Sequence, residues 1–271
     1  MRAFFVTTSI ILMTLALAPF QIVAVVTRSG MARTIPFLYH RLACRLIGIN
    51  IRVVGTPLAG RPVLFVSNHV SWLDIPVLAK LVRASFVAKK EVASWPGFGH
   101  LAKLQRSVFI DRTRRSQAGH HNRELERRLR QGDSLILFPE GTSSDGRLVL
   151  PFKTALFGVA EQAQAITAET CRQSDLTIQP VTIAYRGING MPLARSQRPL
   201  LGWYGDMDLA PHFWQALGLG RIEAEVRFHE PVTMQGFTSR KALAEYCFER
   251  VSAGIQAAGT PALEPERPAK Y

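Results

Sequence analysis

Between Arg2 and Arg28 the chain carries no charged residue, and the apolar run Ala3 to Val26 is long enough for roughly 20 residues of bilayer-spanning helix. Pro19 interrupts the run, so a kinked insertion into one leaflet stands beside a full span. Ala16-Leu17-Ala18 resembles a signal-peptide cleavage site, but Pro19 would follow the cut and the apolar run continues past it. Ile35 to Ile49 mixes apolar residues with Arg41 and Arg45, the pattern of an interfacial helix. Residues 1–50 therefore read as a membrane-anchoring helical segment, a single helix or a helical hairpin.

Past residue 60 the pattern changes to short apolar runs separated by longer amphipathic stretches. The runs predict strands at Pro62–Asn68, Ser85–Ala88, Ser107–Asp111, Ser134–Phe138, Leu176–Ala184 and Glu223–Phe228. Helices are predicted over Leu73–Val82, Ser116–Arg130, Lys153–Ala165 and Ser239–Ala257. This alternation predicts an α/β domain over residues 51–258, a central mixed sheet flanked by helices. The tail, 259–271, holds Pro261, Pro265 and Pro268 among polar residues and is expected to be a mobile end without chemistry.

Composition adds charge to this picture. Lys and Arg outnumber Asp and Glu by 33 to 20, which favours anionic lipid, nucleic acid or an acidic carrier protein as partners. The three cysteines, Cys44, Cys171 and Cys247, are far apart and show no spacing of a zinc site or disulfide framework, so reduced thiols are expected. Arg28, Arg33, Arg41 and Arg45 follow the apolar run and, by the positive-inside tendency, keep the downstream domain in the cytoplasm at the inner membrane.

The candidate chemistry sits where apolar strands stop. Val63 to Val66 ends at Ser67-Asn68-His69, and Asp74 follows five positions after the histidine, at a helix start beside Pro76. A loop of that length can return the carboxylate to one ring nitrogen while the other faces a substrate hydroxyl, the arrangement of a base and its orienter. The alternative is a histidine packed at a strand end with Asp74 as a helix N-cap. A second strand, Leu135 to Phe138, ends in Pro139-Glu140-Gly141-Thr142. Glu140 there can bind an acceptor hydroxyl or hold the loop through backbone N–H groups, and Gly141 permits close backbone approach. A third, Ser107 to Ile110, ends in Asp111-Arg112, where Arg112 can pair with a phosphate or simply with its acidic neighbour.

Taken in order, these segments resemble the PlsC-like glycerolipid acyltransferase family. Asn68-His69-Val70-Ser71-Trp72-Leu73-Asp74 is similar to its His-x4-Asp block, Val108-Phe109-Ile110-Asp111-Arg112 to its second, and Phe138-Pro139-Glu140-Gly141-Thr142 to its third. Ile178-Gln179-Pro180-Val181 falls where the family has an apolar strand with a Pro-Val pair. The resemblance implies that His69 is a general base on a lysolipid hydroxyl with Asp74 its partner. It also implies that Arg112 and Glu140 bind the acceptor, while Gly141 and Thr142 shape their loop. The donor it implies is an acyl thioester of coenzyme A or acyl carrier protein, with no bound cofactor and no metal. Lysophosphatidic acid is its default acceptor. Ser143 departs from the pattern, because many members that acylate lysophosphatidic acid carry Arg at that place, so either Arg112, Arg114 and Arg115 compensate for the missing phosphate clamp or the acceptor is a lysolipid without a phosphomonoester, such as lyso-ornithine lipid. Leu201 to Asp208 is similar to stretches in bacterial relatives of that kind.

Two readings of other classes compete. A noncatalytic, membrane-bound lipid- or carrier-binding protein would keep the fold, but the intact His69, Asp74 and Glu140 count against it. The arginines between Arg112 and Arg130 fit a nucleic-acid contact, yet they also fit anionic lipid or, most simply, a solvated helix face, and the apolar N-terminus places the domain at a membrane. A lysolipid and a membrane are therefore the expected partners, and no nucleic acid.

Overall fold

A computed structural model describes residues 1–111, 118–161 and 176–259. It opens with α1 (Arg2–Val26) and α2 (Met31–Ile47), followed by β1 (Ile49–Val54), β2 (Val63–Ser67), α3 (Asp74–Leu81) and β3 (Ala84–Lys89). Next come α4 (Phe98–Leu104), β4 (Val108–Ile110), α5 (Ala118–Arg130), β5 (Ser134–Leu137) and β6 (Thr177–Ile188). The chain continues through β7 (Met191–Pro192), α6 (Leu209–Gly218), β8 (Ile222–Phe228), β9 (Val232–Thr233) and α7 (Arg240–Gly259).

The main path of the sheet runs β1-β8-β6-β2-β5-β3-β4, and β7 and β9 pair with β6. Only the partners β7, β8 and β9 run antiparallel to β6, and the other neighbours are parallel, so the sheet is mixed as the pattern predicts. All five residues of β2 are buried, because helices cover both faces of the sheet. Alternation along the strand sends Val63 and Phe65 into one core, with α2 and α3, and Leu64 and Val66 into the other, with α5 and α7. Pro180 lies in an interior strand yet costs no ladder bond. On its antiparallel side, pairing passes from β9 at Ile178 to β8 at Val181, and Gln179 fills the gap by bonding Thr56, Leu58 and His229.

All six predicted strands form, with ends within a few residues of the apolar runs. Three elements lie beyond those predicted: β1, whose alternation Ile49-Asn50-Ile51-Arg52-Val53 follows directly on the basic helix α2, and the short helices α4 and α6. The Gly97-Phe98-Gly99 stretch opens α4, and a Cβ on Gly99 would stand 2.5 Å from the Ala93 carbonyl oxygen, so glycine there serves packing. The predicted helix at Lys153 begins as a 3-10 turn, Thr154–Phe157, and its part beyond residue 161 lies outside the described residues, as do Cys171 and the tail from 260. Cys44 and Cys247 are free, buried thiols.

α1 is continuous through Pro19 and, among the described residues, is the one helix long and apolar enough to cross a membrane. It is nevertheless tied to the domain near both ends. Arg2 donates to the Leu217 and Ile47 carbonyls at 2.5 and 2.7 Å, and Gln21 donates to the Leu104 carbonyl at 2.6 Å and to that of Ala32 at 3.1 Å. Twenty-five residues of helix measure about 37 Å. Bonds near both ends therefore lay the helix along the domain. Its outer face, with Phe4, Phe5, Leu12, Leu15, Phe20 and Val23, is exposed.

Asp133 locks α2 to the body. Its buried carboxylate accepts from Arg33 of α2 at 2.7 Å, Arg106 at 2.8 Å and Arg128 at 2.6 Å. Burial pushes that carboxyl's pKa up, but hydrogen bonds and charge from Arg128, then Arg106 and Arg33, outweigh it and hold the value below the ordinary one. Asp133→Ala should therefore lower stability by about 3 kcal/mol, the low end for breaking a buried pair because Arg33 and Arg106 keep contact with water. With a depressed folded pKa, the stabilisation is present above the ordinary aspartate value and is lost as pH falls through the folded one. The difference in thermal unfolding between wild type and variant should thus be full at neutral pH, begin to narrow only below about pH 4, and close as pH falls through the folded value.

Candidate active site

His69 lies two residues past the end of β2, and its backbone is held from both sides. Its N–H donates to Glu140 Oε1 at 2.7 Å, and its carbonyl accepts the Ser144 N–H at 3.0 Å. Asn68, one residue earlier, exchanges two 2.9 Å bonds with the backbone of Ile183 and so extends the β2–β6 ladder into the loop. The two strand ends carrying His69 and Glu140 are parallel neighbours, which is why residues 71 apart in sequence meet.

Asp74, the first residue of α3, is fully buried. Its Oδ2 accepts His69 Nδ1 at 2.7 Å and the backbone N–H groups of Val70 at 2.7 Å and Ser71 at 3.0 Å, and its Oδ1 accepts the Tyr185 hydroxyl at 2.9 Å. The carboxylate thus turns back into the loop and caps no N–H of its own helix. An ionised carboxylate only accepts, so Nδ1 carries the proton toward Asp74 and Nε2 is the ring atom left to take one. The imidazole stacks on Phe138, with centroids 4.2 Å apart, and its side chain keeps 21% exposure on the cavity side. Burial first, then the charge and hydrogen bond of Asp74, push the Tyr185 hydroxyl well above its ordinary pKa, so it stays a neutral donor. Tyr185 lies one position past the predicted strand, on the face shared by Val181 and Ile183, and that alternation was the signal that could have found it.

Glu140 holds its loop through backbone N–H groups. It is 3% exposed and both oxygens are occupied, Oε1 by His69 N–H and Oε2 by Leu150 N–H at 2.9 Å. Glu140 thus ties the His69 loop to the segment at Leu150 through backbone N–H groups. Burial raises its pKa to about 7 against the pull of those two bonds. Gly141 has φ 73°, a left-handed conformation for which the turn needs glycine, and the end of the Lys153 side chain packs over it, 2.5 Å from where a Cβ would stand. Thr142 is exposed and lines the cavity with Gly141 and Ser143. Arg112, Arg114 and Arg115 lie outside the described residues.

Glu140→Gln keeps one acceptor oxygen and sets an amide NH2 against the other backbone N–H. One unsatisfied bond of this kind costs about 1–3 kcal/mol, so kcat/KM should fall roughly 10- to 100-fold. Because the folded pKa is raised, the protonated glutamate's contribution to stability is fully present below its ordinary value and is lost as pH rises through about 7. The variant's stability deficit, followed by thermal unfolding, should accordingly shrink between pH 5 and pH 8.

Ser143 Oγ donates to the Trp203 carbonyl, and Trp203 N–H donates to the Val70 carbonyl at 3.0 Å. The later block at 201–208 is thereby clasped onto both loops, and Trp203 and Tyr204 reach the site. His69 stands in the wall of a cavity of about 520 Å³ that runs between the sheet end and the inner faces of α1 and α2. Leu17, Ile35, Phe86, Leu101 and Phe213 are among its predominantly apolar lining. A proton acceptor beside a long apolar cavity suits chemistry on a molecule with a hydrocarbon chain.

Comparison with known proteins agrees. A family model described as acyltransferase matches residues 50–184. The chain is 46% identical over 257 residues, 95% of each chain, to a lyso-ornithine lipid O-acyltransferase of Brucella abortus, and 41% identical over 244 residues to one of Rhizobium meliloti, covering 89% of this chain and 82% of that one. It is 33% identical over 189 residues to a 1-acyl-sn-glycerol-3-phosphate acyltransferase of Neisseria gonorrhoeae, 69% of this chain and 66% of that one. The fold is similar to the crystal structure of the acyltransferase PlsC from Thermotoga maritima, with TM-score 0.59, 22% identity, and coverage of 96% of this chain and 100% of that one.

Proposed function

The chain belongs to the acyltransferase family, and from that premise we propose that it transfers a fatty-acyl group from a thioester to the hydroxyl of lyso-ornithine lipid. That it is an acyltransferase of lysolipids follows from relatives matched over nearly its whole length. The observation that carries the chemistry is the 2.7 Å contact of His69 Nδ1 with a fully buried Asp74 in the wall of an apolar cavity.

In the reaction, His69 Nε2 takes the proton of the lysolipid hydroxyl as its oxygen attacks the thioester carbonyl carbon. Asp74 stabilises the imidazolium that forms, held in place by Val70, Ser71 and Tyr185. Collapse of the tetrahedral intermediate breaks the C–S bond, and the imidazolium returns its proton to the departing thiolate. Gly141 and Thr142 border the site where the acyl group lies, and the apolar cavity holds its chain. Coenzyme A and acyl carrier protein both offer the required thioester.

The acceptor order suggested by the motifs alone is reversed here. Greater identity to the lyso-ornithine lipid enzymes supports this, and so does the use of Ser143, whose hydroxyl clasps Trp203 where an arginine would reach for a phosphate. Incubation of the purified chain with equimolar lyso-ornithine lipid and lysophosphatidic acid and one labelled acyl thioester tests the choice. Labelled ornithine lipid in excess is expected, whereas predominant phosphatidic acid would overturn it.

The docking of α1 along the domain, with its outer face apolar, favours insertion into one leaflet over a full span. Arg28, Arg33, Arg41 and Arg45 after the apolar run favour the cytoplasmic face of the inner membrane.

A further inference from the structure

We propose that a shallow, open cleft beside the N-terminal end of α1 binds the phosphate of an anionic phospholipid headgroup, apart from the reacting lipids. Arg2, Arg45 and Arg221 line it, over a floor formed by Gly48 and Gly220. The Arg2 guanidinium is set in place by the Leu217 carbonyl in the last turn of α6 and the Ile47 carbonyl at the end of α2. Two of its five N–H groups are used in those bonds, leaving three for a ligand. Among the described residues no carboxylate lies within ion-pair distance of Arg2 or Arg45, and Arg221 has only a loose 3.6 Å approach to Glu223 while its side chain is 62% exposed.

Three guanidiniums facing one carboxylate leave a positive excess that planar, forked donors can spend on phosphate oxygens. The floor stays open because residue 48 has no side chain. At φ 83° a Cβ there would stand 2.9 Å from Arg2 Nη2 and 3.2 Å from the Gly220 carbonyl oxygen.

The surroundings distinguish a lipid from a soluble phosphate. Phe4 and Phe5 follow Arg2 on α1, Leu42 lies one turn before Arg45 on α2, and Trp214 lies one turn before Leu217 on α6. All four are exposed. Guanidiniums bordered by exposed apolar side chains match the boundary between headgroups and acyl chains, with phosphate in the cleft and hydrocarbon against Phe4, Phe5 and Trp214. The inference rests on the membrane placement of α1 and α2 and is independent of the acceptor.

The test titrates the full-length chain, purified in a neutral detergent, with short-chain phosphatidylglycerol and separately with phosphatidylcholine. Arg45→Gln, Arg221→Gln and the double variant are compared with wild type, and Arg2 is left alone because it ties α1 down. Each substitution should weaken phosphatidylglycerol binding about 5-fold and the pair about 25-fold, with phosphatidylcholine binding and lipid-free unfolding unchanged. Equal phosphatidylglycerol affinity in the double variant would overturn the site. Competition by millimolar inorganic phosphate as effective as that by the lipid would overturn the lipid assignment. Release of the wild-type chain from membranes by high salt would remove the membrane placement itself.

Discussion

Asp74→Asn is expected to lower kcat by about 10⁴-fold, the loss seen when the orienting aspartate of a Ser-His-Asp triad becomes asparagine. One oxygen of Asp74 accepts from His69 Nδ1, Val70 N–H and Ser71 N–H together, and the other accepts from Tyr185. An asparagine has one acceptor oxygen and one donor group for those four donors. If its NH2 faces His69, the ring must present Nδ1 as an acceptor and carry its proton on Nε2, where no hydroxyl proton can then be taken. If its NH2 faces Tyr185, the Tyr185 hydroxyl must rotate to accept, and a neutral oxygen replaces the charge that stabilises the imidazolium. The first arrangement removes the base, and the second leaves it without the charge that stabilises its protonated form. A buried position with four partners should also lose stability, by about 3–5 kcal/mol, as when a buried charged network loses one member. Steady-state acyl transfer and thermal unfolding on the same preparation separate the two effects.

His69→Ala should lower kcat by about 10²–10⁴-fold, the usual contribution of a positioned general base. Stability should change far less than in the Asp74 variant. The lost side chain is partly exposed and its main packing contact is the stack on Phe138, an interaction worth about 0.5–1.5 kcal/mol beyond area. The contrast between a stable, inactive His69 variant and an unstable, inactive Asp74 variant distinguishes a base from the group that orients it. Because the two act as a unit, the double variant should lose little more activity than the worse single one. Multiplication of the two single losses would mean that they act independently.

How much of this was legible depended on sequence distance. His69 and Asp74 are five residues apart on one strand-loop-helix connection, so their pairing could be read directly, and the structure supplies it at 2.7 Å. The apolar strands were legible because a sheet covered on both faces demands unbroken runs such as Val63 to Val66. Tyr185 was not, because it reaches Asp74 from 111 positions away through the neighbouring strand. The Ser143–Trp203 clasp spans 60 positions, and nothing in either segment announces the other. The bonds of Glu140 to the His69 and Leu150 N–H groups span 71 and 10 positions, and only the folded loops show them. The cavity was the least legible feature. Its walls combine α1, α2, α4 and α6 with two strand ends, and a leading helix read for membrane affinity gave no sign that its inner face would enclose a site.

The central claim is that His69 activates the hydroxyl of lyso-ornithine lipid toward a thioester. Its most direct test is formation of labelled ornithine lipid from lyso-ornithine lipid and a labelled acyl thioester, measured by mass spectrometry for wild type and for folded His69→Ala at equal enzyme. The account predicts product from wild type at a rate at least about 100-fold above that of the variant. Equal rates from the two proteins, or no acylated lyso-ornithine lipid from wild type while another lysolipid is consumed, would contradict it.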